Sequence, residues 1–179
     1  MRSISLFGLV VVVGMSTGCV STAVSTGIQV VKGVDAEVYA IEDVGAGRLA
    51  PYNTLKLGHV STDIGPLCPP EMSSQIQEIA PRKLAEESGD QFRGGPKILR
   101  VDIAVRFYKK KGLLGEGRLD FLVTLVDAES GAQVGKLYVE AITESPVHTG
   151  IDDMVKKATS DLAKYLKKKK EKGDEESDK

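Results

Sequence analysis

Few side chains in this 179-residue chain are equipped for chemistry: two thiols, Cys19 and Cys68, and two imidazoles, His59 and His148. Cys68 and the histidines have the donor atoms of a three-ligand zinc site. Such sites announce themselves as closely spaced ligand pairs, and these residues form none. A metalloprotease would carry a His-Glu-x-x-His helix, and a nucleotide-binding protein a Gly-x-x-x-x-Gly-Lys loop; neither pattern occurs. The run Gly112-Leu113-Leu114-Gly115-Glu116-Gly117 misses the phosphate-cradling spacing and joins two strands, not a strand and a helix. Triads of Ser, His and Asp assemble from distant positions, which leaves a hydrolase as the weakest alternative. The expectation is a protein that is not an enzyme, with no catalytic or metal-ligating residue and no cofactor. With 24 basic against 25 acidic residues there is no basic excess to hold nucleic acid.

One thiol has a telling position. Arg2 precedes the apolar run Ile4 to Val13, which softens into Gly14-Met15-Ser16-Thr17-Gly18-Cys19. A basic start, a short greasy stretch and small residues before a cut site define an export leader. The run falls short of the about 20 apolar residues that a spanning helix needs. Ser16-Thr17-Gly18-Cys19 resembles the lipobox of bacterial lipoproteins, with Ser16 standing where leucine is usual. The resemblance implies diacylation of the Cys19 thiol, cleavage just before it, and acylation of the new amino group. Two or more acyl chains anchor a protein stably where one does not. Val20 and Ser21 follow, and the lack of aspartate there implies sorting to the outer membrane, with the domain facing the periplasm. The alternative is an ordinary leader cut near Thr17 or Cys19, or an uncleaved anchor. With Cys19 acylated, Cys68 has no intrachain partner and reads as a small, half-buried apolar residue before a helix; with Cys19 free, a Cys19–Cys68 disulfide is open.

What the anchor would carry is one domain. Residues 1–18 form the leader, 19–27 the lipidated start and a small, polar tether, 28–166 the folded body, and 167–179 a charged tail expected to be disordered. Ile28–Val31 and Ala36–Ile41 read as short strands, and Tyr52–Val60 as another. From 97 to 143 the alternation is clear. Leu99, Val101, Ile103, Val105 and Phe107 mark one strand, Leu119, Phe121, Val123 and Leu125 a second, Leu137, Val139 and Ala141 a third. Asp127–Ala132 turns between the last two. Glu71–Glu87 has helical spacing, with a kink or break expected at Pro81. The stripe Ile151, Val155, Ala158, Leu162, Tyr165 and Leu166 marks a final helix, with Asp152 and Asp153 suited to its start. The expected fold is α+β: an antiparallel sheet of about four strands with two helices packed on one face.

A surface candidate lies between the first two clear strands. Lys109, Lys110 and Lys111 precede Leu113 and Leu114, a basic collar behind a leucine pair that would meet a membrane or a protein groove. The other reading folds both leucines back onto the domain. The order from Tyr52 through Ile98–Tyr108, Gly112–Gly117 and Leu119–Asp127 with Ser130-Gly131 resembles a bacterial outer-membrane lipoprotein family classed as a domain of unknown function. Small domains of this kind imply work beside other envelope proteins. The leading expectation is a non-enzymatic, lipid-anchored envelope protein, an adaptor or structural component. Its partners would be the membrane, through the lipid on Cys19, and an unidentified envelope protein. A periplasmic small-ligand or lipid-binding module is the alternative.

Overall fold

The structure, a computed structural model, describes residues 33–42, 44–112, 115–144 and 150–177. Cys19, the strand expected at Ile28–Val31, Leu113, Leu114 and His148 therefore lie outside the described residues. The elements run β1 (Val34–Glu42), α1 (Ala46–Leu49), β2 (Thr54–Thr62), α2 (Met72–Ser88), β3 (Ile98–Lys109), β4 (Gly117–Asp127), β5 (Gln133–Thr143) and α3 (Ile151–Ser177). Short 3-10 turns at Gly65–Leu67 and Gly89–Phe92 flank α2.

The α+β class holds, with two corrections. Among the described residues the sheet has five strands in the order β1-β5-β4-β3-β2, and it is mixed, because β2 runs parallel to β3 while the other pairs are antiparallel. A parallel neighbour requires a crossover, and α2 supplies it between β2 and β3. Among the described residues there are three helices, the additional one being the single turn α1, whose Leu49 is fully buried.

The period of two works as expected in the long strands. Leu99, Val101, Ile103, Val105, Leu119, Phe121, Val123, Leu125, Leu137, Val139 and Ala141 all turn to one face and are buried. There they meet Met72, Ile76, Ile79, Ala80 and Leu84 of α2 and Met154, Val155, Ala158, Leu162, Ala163 and Leu166 of α3, in one continuous core. The space between sheet and helices is filled with side chains. A bulge in β3 between Val105 and Phe107 sends Phe107 to the opposite, uncovered face, which the plain alternation did not anticipate.

Pro81 does not end the helix: α2 continues through it from Met72 to Ser88. Pro81 is exposed, while Ala80 and Leu84 on either side are buried, so packing of the inner stripe holds the helix across the missing donor. The charged tail is also corrected, since α3 runs on to Ser177. Lys170 is buried, donating from Nζ to the carbonyls of Tyr52 and Gln91 (2.7 Å to the latter) and lying 4.8 Å from the centre of the Phe92 ring. A lysine whose stem packs and whose ammonium finds carbonyls can be buried, and that contact ties the helix end to the domain.

Candidate functional site

The strand register fixes which surfaces share an end of the sheet. Gly117 pairs with Thr143, and Thr143 with Val34, so the chain enters β1 at the end where β3 and β4 meet in their hairpin. Lys109 pairs with Arg118 at that same end. Parallel pairing of Thr62 with Val105 brings the close of β2, and the Gly65–Leu67 turn after it, there too. We call this the tether end.

Of the expected contact residues, Lys109 and Lys110 are exposed, and Lys111 is half-buried with its Nζ 2.5 Å from the Gly115 carbonyl. Among the described residues, no carboxylate forms an ion pair with any of the three. Leu67, which the sequence reading had not singled out, is 77% exposed. It is held by a turn with Gly65 at φ 52° and Pro66, a conformation glycine and proline favour. Cys68, beside it, is a half-buried free thiol packed against the core. His59 stands exposed on β2, and its backbone N–H donates to Asp102 Oδ1 (2.8 Å). Its neighbour Gly58 lies under Arg100 and Asp102, where a Cβ would come within 2.0 Å of Asp102 Oδ1. Among the described residues no group of three or more His, Cys, Asp or Glu side chains is placed to hold a metal ion. No helix among them is long and apolar enough to cross a membrane.

The face of the sheet away from the helices carries a second, unanticipated cluster. Asp120 is 1% exposed although it points away from the core layer. Arg118 grips it with both arms, Nε to Oδ1 at 2.9 Å and an Nη to Oδ2 at 2.9 Å, and Tyr138 donates its hydroxyl to Oδ2 at 2.7 Å. The other Nη of Arg118 reaches Glu140 at 2.8 Å, and the guanidinium lies 5.5 Å from the centre of the Phe107 ring. The hydrogen bonds to Asp120 hold the Arg118 guanidinium far above its ordinary pKa, and burial, then the Asp120 bond, pushes the Tyr138 phenol up. Nearby, Tyr39 donates to Glu37, which raises the Tyr39 phenol. A clue was present in the sequence: Arg118-x-Asp120 repeats as Arg100-x-Asp102, and residues two apart on a strand share a face. Arg100 grips Asp102 in the same bidentate way, Nε to Oδ1 and an Nη to Oδ2, both at 3.0 Å. Bidentate Arg–carboxylate pairs are rigid. Their oxygens are engaged within the protein, which suits them to stiffen a strand surface better than to transfer a proton.

At the far end, Asp127 caps the β4–β5 turn. Its Oδ1 accepts from the amides of Glu129 (3.0 Å) and Ser130 (2.9 Å), and its Oδ2 from the Tyr52 hydroxyl (2.9 Å) beside the Lys97 ammonium (2.9 Å). The Ser130 amide, then Lys97, hold its carboxyl well below the usual range. A surface groove of about 330 Å³ lies between the start of β1 and the helices, beside Lys83, Lys156 and Lys157. Each of these lysines is already paired, with Glu86 (2.6 Å), Asp152 (2.8 Å) and Asp161 (2.9 Å) respectively.

No family model matches the chain, and no curated relative does. The lipoprotein family suggested by the strand order thus finds no matching model. Among solved structures, the chain is similar to PelC from Paraburkholderia phytofirmans, described as a dodecamer in two crystal forms, one of a point variant. Each shows 14% identity and a TM-score of 0.47 over 75% of this chain and 97% of PelC. A crystal structure of a candidate lipoprotein from Caulobacter crescentus CB15 follows, at 14% identity and a TM-score of 0.37 over 68% of this chain and 88% of the other. Likenesses this distant decide nothing about activity or assembly.

Proposed function

We propose that this chain is a lipid-anchored bacterial envelope protein that acts without catalysis, as an adaptor or structural component on the periplasmic side of the outer membrane. The observation that carries the reading is a leader whose apolar run Ile4–Val13 gives way to small residues ending at Cys19, a short distance before the first described strand at Val34. The domain's chemistry supports it. Asp120, Asp102 and Asp127 serve neighbouring residues, and the packed core leaves the described grooves on the surface. The outer-membrane address follows from Val20 and Ser21, where retention would call for aspartate.

Intact-mass analysis of the mature protein from native membranes tests the anchor. The expected mass is that of residues 19–179 plus a diacylglyceryl group in thioether linkage to the sulfur and one acyl chain on the amino group, and Cys19→Ala should release the protein from the membrane. An unacylated product that washes freely from membranes refutes the reading. Crosslinking in whole cells, followed by pull-down in mild detergent, tests the adaptor role. Recovery of the protein alone in every detergent argues against a stable partner.

A further inference from the structure

We infer that the tether end of the sheet, with Leu67 and Lys109 to Lys111, rests on an anionic bilayer surface. This deepens the anchored reading and rests on it.

Three independent features converge there. The first is where the anchor leaves. Residues 20–33 separate Cys19 from β1, and a random coil of fourteen residues would have a root-mean-square reach of about 20 Å. Strands of the length of β3 to β5 extend about 35 Å at ~3.3 Å per residue. An anchor emerging beside Val34 therefore keeps the tether end close to the bilayer, and holds the β4–β5 turn a sheet's length further away.

The second is apolar. Leu67 is the most exposed large hydrophobic side chain among the described residues, on a turn braced by Pro66 and followed by Pro69 and Pro70. It belongs to the tether end because β2 runs parallel to β3. A stiff turn presenting one leucine inserts shallowly into a headgroup layer with little ordering cost.

The third is charge. The described lysines of the helix layer around the groove are matched with carboxylates, as are Arg100, Arg106 and Arg118 on the sheet. Lys109, Lys110 and Lys111 are not so matched among the described residues. Asp35, Glu71 and Glu144, all exposed, and half-buried Glu116 lie at this end too, so the lysines form a basic cluster local to the hairpin. Clustered lysines near a bilayer are drawn to anionic headgroups. A second copy of the chain docking through the same surface would set these lysines against each other, so charge favours lipid over self-association.

The chain has no tryptophan, so one introduced indole reports alone. The acylated full-length protein carrying Leu67→Trp is reconstituted into phosphatidylethanolamine–phosphatidylglycerol vesicles with brominated acyl chains, beside Glu129→Trp, which marks the turn at the far end. Flotation comes first. Failure to float overturns the anchored reading and this inference with it. With flotation established, the indole at position 67 should shift to the blue and lose at least half its emission to bromolipid, and that at position 129 should lose almost none. Changing Lys109, Lys110 and Lys111 together to Glu should cut the quenching at position 67 at least twofold while the protein still floats. Equal quenching at both positions in floating vesicles overturns the orientation alone. A blue shift at position 67 without bromolipid quenching also overturns it, because another protein surface then covers the leucine. Exposure of Leu67 lets the substitution leave the fold unchanged, and circular dichroism confirms that for each variant.

Discussion

Replacing Pro81 with alanine should make this protein more stable, and the structure sets the size of the gain. Pro81 lies in the tenth position of α2, far from either cap, and the helix runs unbroken through it. An interior proline lacks the amide that would reach the carbonyl of Gln77, and its ring crowds that carbonyl. It also disfavours helical geometry at the residue before it, here the buried Ala80. Host measurements put the total near 3 kcal/mol relative to alanine. That figure already contains the entropy of the unfolded chain, and tertiary packing of the inner stripe overrides part of an intrinsic propensity. A net gain of about 1–2 kcal/mol remains. Because Pro81 is exposed, alanine leaves no cavity in the core. Urea titration of the domain followed by circular dichroism should show the midpoint rising by about 0.5–1 M with an unchanged slope, for a slope near 2 kcal/mol/M. The melting temperature should rise by about 2–8 °C. An unchanged or lowered midpoint refutes the reasoning. It would mean that the curvature proline imposes is what lets Ile76, Ile79 and Leu84 seat on the sheet together with α3.

Further outcomes follow from the polar clusters. Asp120→Ala should destabilise by about 2–3 kcal/mol, below the 3–5 typical of a broken buried pair because Arg118 is one-third exposed and keeps Glu140; chemical denaturation measures it. Asp127 has a folded pKa depressed below its unfolded value, so its contribution is present above about pH 4 and fades as pH falls below that. The wild-type urea midpoint should therefore fall more between pH 5 and pH 2.5 than that of Asp127→Asn, and parallel declines would show that the carboxylate is not responsible. Lys170→Ala removes donations to Tyr52 and Gln91 and should cost about 1–3 kcal/mol. Hydrogen exchange should then show the last turns of α3 opening first, whereas unchanged protection there would mean the helix end is held by other contacts.

The sequence was most legible where one physical signal acted alone. In β3, β4 and β5 the core residues alternate without interruption over long stretches, so strand, face and hairpin could all be read. It was least legible at the edges. In β2 the pairing passes from Leu57 opposite Val101 to Val60 opposite Ile103, so extra residues around Gly58 and His59 shift the alternation out of phase. Nothing local states that this strand runs parallel to β3; the direction comes from α2 crossing back over the core. The end of α3 was misread because four consecutive lysines look solvated, while the carbonyls that hold Lys170 belong to residues 79 and 118 positions away. Long-range partners leave no trace in local pattern. The same limit hid the exposure of Leu67 within a Pro-rich loop, and with it half of the candidate contact surface.

Charge pairing distinguishes the parts of this molecule more sharply than shape does. On the helix layer, Lys83, Lys156 and Lys157 meet carboxylates three or four residues along the same helix. Such exposed pairs contribute only tenths of a kcal/mol each, too little to explain the fold, but they leave the surface around the groove nearly neutral at short range, while among the described residues Lys167, Lys168 and Lys172 further along α3 form no ion pair. The open sheet face reaches the same state through Arg100 with Asp102 and Arg118 with Asp120 and Glu140. A surface balanced in this way exerts little pull beyond a Debye length of about 8–10 Å. The hairpin lysines lack that local cancellation, as do Lys56, Lys136, Lys167, Lys168 and Lys172 among the described residues, but the hairpin lysines are the ones that stand at the end where the chain enters its first strand. If the domain acts by holding a position relative to a membrane, this end is where an attractive field would be useful. A bilayer without anionic lipid should then leave the acylated protein attached but free to tilt, with the indole at position 67 no better quenched than that at 129.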